Sequence, residues 1–418
     1  MTERETRRRV VITGMGAMTP LGLSPEKLWE GCVEGRSAVV PLTRFDASNY
    51  PVRIAAEIND FDPIDYIDRK EARRMARFSQ FAVAAARQAI EAAGLQIDKE
   101  DATRIGVMLG NGNGGFPNTE EAMRTLLEKG GMRIDPFYAP KMLPNMAAAQ
   151  VAIQFGLGGF NSTAITACAA STQAIGDALE VIRRGKAEVM LTGGTEAGIG
   201  EIGLATFCVM RALSTRNDEP AKASRPFDAE RDGFVCSEGS AILILESLEH
   251  AKARGATILA DLAGCASSGD AYHIVAPSEN GEGAQRAMRW ALEDAGITIN
   301  DVDYINAHGT STVLNDLAET RAIKGLFGER AYKIPISSTK SMIGHVLGAA
   351  GALESVVCVK TLQTGIIHPT INQENPDPEC DLDYVPNKCR KVDVRTILKN
   401  SFGFGGQNAC LVFKKFEE

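Results

Sequence analysis

No two of the nine cysteines form a CxxC pair; they fall at positions 32, 168, 208, 236, 265, 358, 380, 389 and 410. That spacing argues against a zinc site and against a disulfide framework, and eight of the nine read as reduced thiols packed like small apolar groups. No uninterrupted apolar run approaches the ~18 residues that a membrane-spanning helix needs. The charged opening from Met1 to Arg9 passes straight into the strand-like Val10-Val11-Ile12, with no apolar core of a signal peptide between them. A cytoplasmic protein is therefore expected. The net charge is −8 and the cations are scattered apart from short clusters, so no basic face marks a nucleic-acid binder. Low-complexity linkers are also missing, and Pro376 and Pro378 mark Asn372 to Asp383 as a surface loop.

What is present is a 418-residue chain with 44% hydrophobic residues, enough for a sizeable core. Short apolar runs ending in glycine alternate with helical patterns, the arrangement of a layered α/β protein. The chain also resembles itself. Ala89 to Ile97 reads like Ala291 to Ile299, each an amphipathic helix closed by a glycine and a branched apolar residue. The strands Arg104 to Gly110 and Asp303 to Ala307 follow, and Glu188 to Gly194 pairs with Ile397 to Gly403. Two similar halves are expected, residues 1–258 and 259–418.

Ile165-Thr166-Ala167 reads as a strand end, and Ala170, Ala174, Ile175, Ala178, Leu179 and Ile182 form one helix face, closed by Arg183, Arg184 and Gly185. Cys168 lies between them, at a strand-to-helix elbow flanked by small residues. The positive end of the helix should lower its pKa and aim backbone N–H groups at a developing oxyanion. A buried structural cysteine at a helix start fits the same residues.

Of the five histidines, His308 follows a strand in Asn306-Ala307-His308-Gly309-Thr310-Ser311-Thr312, and His345 precedes a helix in Ser338-Thr339-Lys340-Ser341-Met342-Ile343-Gly344-His345. Catalytic groups gather at the C-terminal ends of strands in α/β folds, and neutral imidazoles there can donate to a carbonyl. Loop-capping histidines would look alike. His250 reads as a solvated helix residue, His368 before Pro369 as a turn, and His273 as a weaker candidate at an entrance.

With these segments and the closing Asn400-Ser401-Phe402-Gly403-Phe404-Gly405-Gly406 in view, the chain resembles the β-ketoacyl-[acyl-carrier-protein] synthases, in particular the synthase II type. The likeness runs from Val10 to Lys414 in four ordered motifs. It implies a thiolase-like duplicated αβαβα five-layered sandwich, a homodimer, and elongation of fatty acyl chains by condensation with malonyl-carrier protein. It implies Cys168 as the acyl-accepting nucleophile, His308 and His345 as the pair that holds the malonyl-derived enolate, and Lys340 as a nearby positive charge. Glu354, Phe402, Phe404 and Asp316 would support them, Phe404 as a gate whose backbone N–H joins that of Cys168 in an oxyanion hole. Thr310, Thr312, Asn113 and Tyr138 would bind substrate. Arg69, Lys70, Arg73, Arg74, Arg133 and Arg211 would face the acidic acyl-carrier protein. The resemblance calls for no cofactor beyond the phosphopantetheine that substrates carry, and it leaves room for a structural monovalent cation.

The sequence departs from that pattern at Asn113, where an apolar pocket residue is usual, and at Gln407, where a Thr is usual. A polyketide-type condensing role therefore competes with fatty-acid elongation. A non-condensing partner subunit would lack the nucleophile, which is present. A thiolase would need a second cysteine in the 403–406 loop, and Cys410 comes later. Val10 to Thr19 imitates a dinucleotide-binding opening, but Thr19 replaces its third glycine and no acidic residue ends a second strand near Val39-Val40.

Overall fold

The computed structural model describes residues 7–418, so most of the Met1–Arg9 segment lies outside the described residues. Ten strands form one continuous sheet. In chain order they are β1 Val10–Met18, β2 Ile105–Gly110, β3 Asn161–Ala164, β4 Val189–Glu196, β5 Gly239–Ser247, β6 Ala260–Gly269, β7 Tyr304–Asn306, β8 Ile336–Ser337, β9 Thr396–Gly403 and β10 Gln407–Lys414. Their spatial order is β8-β7-β9-β10-β6-β1-β5-β4-β2-β3. Reading outwards from the middle, 1-5-4-2-3 on one side is matched by 6-10-9-7-8 on the other.

Pairing directions repeat as well. β5 runs antiparallel to β1 and β4, and β10 antiparallel to β6 and β9. β2 is parallel to β4 and β3, as β7 is to β9 and β8. The halves meet in a two-residue antiparallel pairing, Val11 with Asp261 and Ile12 with Ala260. The division expected between residues 258 and 259 falls just before β6.

Helices complete the layers: α1 Arg77–Ala93, α2 Met146–Phe155, α3 Ala170–Arg183, α4 Glu282–Ala295, α5 Val313–Phe327 and α6 Ala350–Thr364. α1 covers β1 and β5 on one outer face, and α4 covers β6 and β10 on the other. Both end, as their sequences predict, on left-handed glycines, Gly94 and Gly296. Between the half-sheets lie α3 and α6, which touch strands of both. Ala170, Ala174, Ile175, Ala178, Leu179 and Ile182 are buried, but so are Ser171, Thr172, Gly176 and Val181, because a central-layer helix has no solvent face. This is the αβαβα arrangement expected of the sequence.

The glycines of the imitation dinucleotide motif have a packing role. A Cβ on Gly14 would sit 2.3 Å from the Ala89 carbonyl oxygen, and one on Gly16 would sit 2.0 Å from that of Ala85. Helix α1 therefore lies directly on β1. In the second half, Gly264 lets α4 approach in the same way, 2.7 Å from the Ala291 oxygen.

Candidate active site

The first strand of the predicted elbow is shorter than the sequence suggests. β3 stops at Ala164, and Ile165 and Thr166 leave the sheet, Ile165 being exposed. Ala167 then takes a left-handed turn (φ 48°), one 3-10 turn spans Ala167–Ala169, and α3 begins at Ala170. Small side chains tolerate that crowded turn. Cys168 is left 7% exposed at the base of a cavity of about 370 Å³.

His308 and His345 line the same cavity, with Thr310, Thr312, Asn113, Arg211, Phe402 and Phe404. The Cys168 Sγ and one ring nitrogen from each histidine lie within 4.8 Å of one another. The imidazoles meet edge to face at 5.5 Å, with Phe402 5.8 Å from His308 and Phe234 5.3 Å from His345. Cys168 thus meets two histidines that lie 140 and 177 positions further along the chain.

Hydrogen bonds set the histidine tautomers. The Leu347 N–H donates to His345 Nδ1 at 3.2 Å, and Lys340 Nζ lies 3.3 Å from His308 Nδ1. An ammonium can only donate, so each Nδ1 is an acceptor and each neutral ring carries its hydrogen on Nε2. Burial first, and then the Lys340 charge, hold both pKa values well below 6.5. His345 Nε2 has no partner among the described residues. A zinc ion could span a thiol and two imidazoles at such spacing, but it needs a lone pair where His345 carries a hydrogen. The arrangement is a pair of donors.

The thiol corrects the sequence reading. Burial pushes Cys168 up to about 11, against Lys340 and the backbone N–H groups of Phe404 and Cys168, which favour the thiolate. The helix end is there, but desolvation outweighs it. Those two N–H groups lie beside the sulfur, where the carbonyl of an attached acyl group would come to rest.

Lys340 is buried, donates to the His308 carbonyl oxygen at 2.7 Å, and bonds Glu354. Glu354 also pairs with Lys399 at 2.9 Å, so one buried carboxylate serves two buried ammonium groups. Lys399 donates to Thr172 at 2.7 Å and also bonds Ser401. Sequence reading passed over Lys399, although a lysine inside the apolar run Ile397-Leu398-Lys399 was a usable signal. It also passed over Glu319 and Glu196. Glu319 accepts from the N–H groups of His308 (2.8 Å) and Gly309 (2.7 Å) and fixes that loop. Glu196 accepts from Gly112 (2.9 Å), Asn113 (3.3 Å) and Gly348 (3.2 Å), tying the two halves together beside the cavity. Burial lifts both carboxyls to about 7.

Other predicted residues divide. Asp316 is buried at the start of α5, accepts from the Phe227 N–H at 2.8 Å and faces Arg231. Thr310 and Thr312 bond each other at 2.9 Å on the cavity wall. Tyr138 is not brought to the cavity; its hydroxyl lies 3.4 Å from Thr119. Lys70, Arg73, Arg133 and Arg69 are exposed, while Arg74 pairs with Glu71 and stacks on Phe137. Arg211, in a left-handed turn, is exposed at the cavity. His250 is not solvated, because Glu246 (2.6 Å) and Glu100 (3.0 Å) hold it on both sides. Nor is His368 in a turn; it directly follows the short strand Ile366–Ile367 and is fully buried among Tyr304, Ser337 and Thr339. His273 is exposed, its Nδ1 accepting from Val275 and Ala276, which line the cavity.

Residues 7–251 match the beta-ketoacyl synthase N-terminal domain, and residues 259–374 match the C-terminal domain of the same family. The chain is 52% identical over 411 residues to a Synechocystis protein named 3-oxoacyl-[acyl-carrier-protein] synthase 2, covering 98% of this chain and 99% of the relative. A Staphylococcus aureus protein of the same name is 50% identical over 410 residues, with the same coverage. Among solved structures, a beta-ketoacyl synthase from Burkholderia phymatum is 40% identical with a TM-score of 0.91, covering 98% of this chain and all of its own. A type II polyketide ketosynthase solved with its acyl-carrier protein and a bound hexaketide is 37% identical with a TM-score of 0.90, at the same coverage. With its fold, its cavity and these relatives in agreement, the chain belongs to the beta-ketoacyl synthase family.

Proposed function

We propose that the protein elongates fatty acyl chains by decarboxylative condensation. The observation that carries this reading is the convergence of one thiol with two neutral Nε2–H donors in a single cavity. In the first half-reaction the Cys168 sulfur attacks an acyl-carrier thioester. Its proton leaves with the departing carrier thiol, and an acyl-enzyme remains. The N–H groups of Cys168 and Phe404 hold the oxyanion.

In the second half-reaction malonyl-carrier protein loses carbon dioxide. The electrons of the broken bond flow into the thioester, whose oxygen takes hydrogen bonds from His308 and His345 Nε2. The enolate carbon then attacks the acyl carbonyl and expels the Cys168 sulfur as a thiolate, which takes up a proton from solvent to restore the thiol, giving a 3-oxoacyl chain two carbons longer. Donors held in a dry site need no reorganisation as charge develops, and one such bond is worth about 3 kcal/mol. Burial, and then Lys340, keep His308 neutral, and Lys340 also orients it, so protonation does not trap the ring. No cofactor enters these steps.

The partner in both halves is acyl-carrier protein, an assignment supported by the exposed Lys70, Arg73, Arg133 and Arg211, with Arg74 beside them. A homodimer is supported by exposed Ile153, Phe160 and Ile165 around the edge strand β3. A cytoplasmic setting is supported by nine free cysteines and by the lack, among the described residues, of a helix long and apolar enough to cross a membrane.

Intact-mass measurement tests the reading. Acyl-carrier protein should add one acyl group to the wild type and none to Cys168→Ala, and added malonyl-carrier protein should then release carbon dioxide and 3-oxoacyl product. Product formation by Cys168→Ala at the wild-type rate would overturn the assignment.

A further inference from the structure

Lys399 is a buried lysine that the condensation steps do not use. It lies on β9, inside the apolar run Ile397-Leu398-Lys399, and its Nζ sits where β9, α3 and α6 meet. Three oxygens surround that nitrogen: Thr172 Oγ1 of α3 at 2.7 Å, Glu354 Oε2 of α6 at 2.9 Å, and Ser401 Oγ of β9 itself. Thr172 and Ser401 also bond each other at 2.8 Å, so the two hydroxyls are held as a pair. All four side chains are buried. Gly351 leaves the nitrogen its room: a Cβ there would lie 2.0 Å from Thr172 Oγ1 and 3.0 Å from Lys399 Nζ.

A carboxylate oxygen and two hydroxyls in a dry pocket are also what a desolvated sodium or potassium ion takes in exchange for its hydration shell. An ammonium carries the same single charge, and its three N–H groups match three oxygens. Arginines meet the buried carboxylates of Glu238 and Asp228, and backbone N–H groups meet that of Glu196. Among the described residues only Glu354 serves two lysines. A metal ion added here would leave three positive charges against one negative in a low-dielectric interior. The structural monovalent cation for which the family resemblance leaves room therefore does not fit these oxygens. We propose that Lys399 is the built-in cation of this chain: its ammonium fills the place of a structural sodium or potassium ion and holds α3, α6 and β9 together. Because Glu354 also bonds Lys340, which orients His308, the catalytic loop is fixed without a bound ion.

Melting temperatures are measured for the wild type, Lys399→Ser and Lys399→Met in potassium, sodium and choline chloride at equal ionic strength. Choline is too large for the pocket and supplies charge screening alone. The wild type should melt alike in all three salts. Lys399→Ser vacates the position of Nζ and keeps the three oxygens. It should melt below the wild type in choline and rise by about 5 °C in potassium or sodium at roughly 100 times the ion's dissociation constant. Lys399→Met fills the same space without charge, so it should melt low in every salt. If Lys399→Ser does not fold, Lys399→Ala takes its place with the same expected response. A wild type that potassium or sodium raises as much as the serine variant would overturn the proposal, as would a serine variant no more responsive than the methionine one. The melts do not depend on the condensing reaction, so failure of that reading would leave them unchanged.

Discussion

Exchanging Glu354 for glutamine keeps the side-chain volume and removes its charge, so no cavity forms and the loss is electrostatic. Glu354 and Lys399 are fully buried and Lys340 nearly so. The native site holds two positive charges against one negative; the variant holds two against none. Breaking a buried ion pair from one side costs about 3–5 kcal/mol. With a urea slope of about 3 kcal/mol per molar, the unfolding midpoint should fall by about 1 M or more. Burial already pushes Lys399 down, and Glu354 pulls it back up. In Glu354→Gln that opposing pull is gone, so Lys399 should fold neutral more readily. A lysine whose folded pKa lies below its unfolded value binds more protons when unfolded, so stability rises with pH up to about 10.4. Urea titrations of Glu354→Gln at pH 7 and pH 9 should therefore differ, the variant recovering part of its loss at pH 9. A midpoint within about 0.3 M of wild type at pH 7 would refute the charge accounting.

His308→Ala and His345→Ala should each still form the acyl-enzyme but lose condensation by about 100-fold or more, as expected for one lost oxyanion donor; failure of both to acylate contradicts the roles given. Because both rings stay neutral well below pH 6.5, their own imidazole proton resonances should not titrate between pH 7.5 and pH 6; a ring titration centred near pH 6.5 would place an ordinary imidazole there. With its thiol pushed up to about 11, Cys168 should be alkylated by iodoacetamide about tenfold faster per pH unit between pH 7 and 9, and a plateau at pH 7 contradicts this. Burial pushes Glu246 up, but Arg254, His250 and Thr13 outweigh it and hold it at about 2. Its contribution is therefore present above about pH 4.5 and lost as pH falls toward 2. Thermal melts of Glu246→Gln should lose less stability than wild type over that range.

Long-period features were legible in the sequence. The paired helix–glycine–strand copies predict β2 and β4 in one half and β7 and β9 in the other, and the motif loops predict that Cys168, His308 and His345 meet. Environment was less legible. The sequence shows a helix following Cys168 but not the overlying layers that desolvate it, so the predicted direction of the thiol shift was reversed. His250 reads as solvated and His368 as a turn because their partners, Glu100 for the one and Tyr304 for the other, come from distant segments. Glu319 sits in a helix of ordinary composition, and nothing in its neighbourhood announces that its carboxylate caps the His308 loop.

Duplication explains why the site is lopsided. The elbow at Ala167 (φ 48°), followed by one 3-10 turn and α3, has a twin at Leu347 (φ 46°), followed by one 3-10 turn and α6. In register, Cys168 corresponds to Gly348. A Cβ on Gly348 would lie 2.3 Å from the Gly112 nitrogen, so no side chain fits there, and its N–H is given to Glu196 instead. One elbow therefore presents a sulfur, while the other is packed against the Gly112-Asn113 wall of the same cavity. Next to this second elbow, the Leu347 N–H bonds His345 Nδ1 and so sets which nitrogen carries the hydrogen. A symmetric pair of turns thus yields a nucleophile from one copy and an oriented donor from the other. Cys168 and His345 face each other because both elbows open into the space between the two half-sheets.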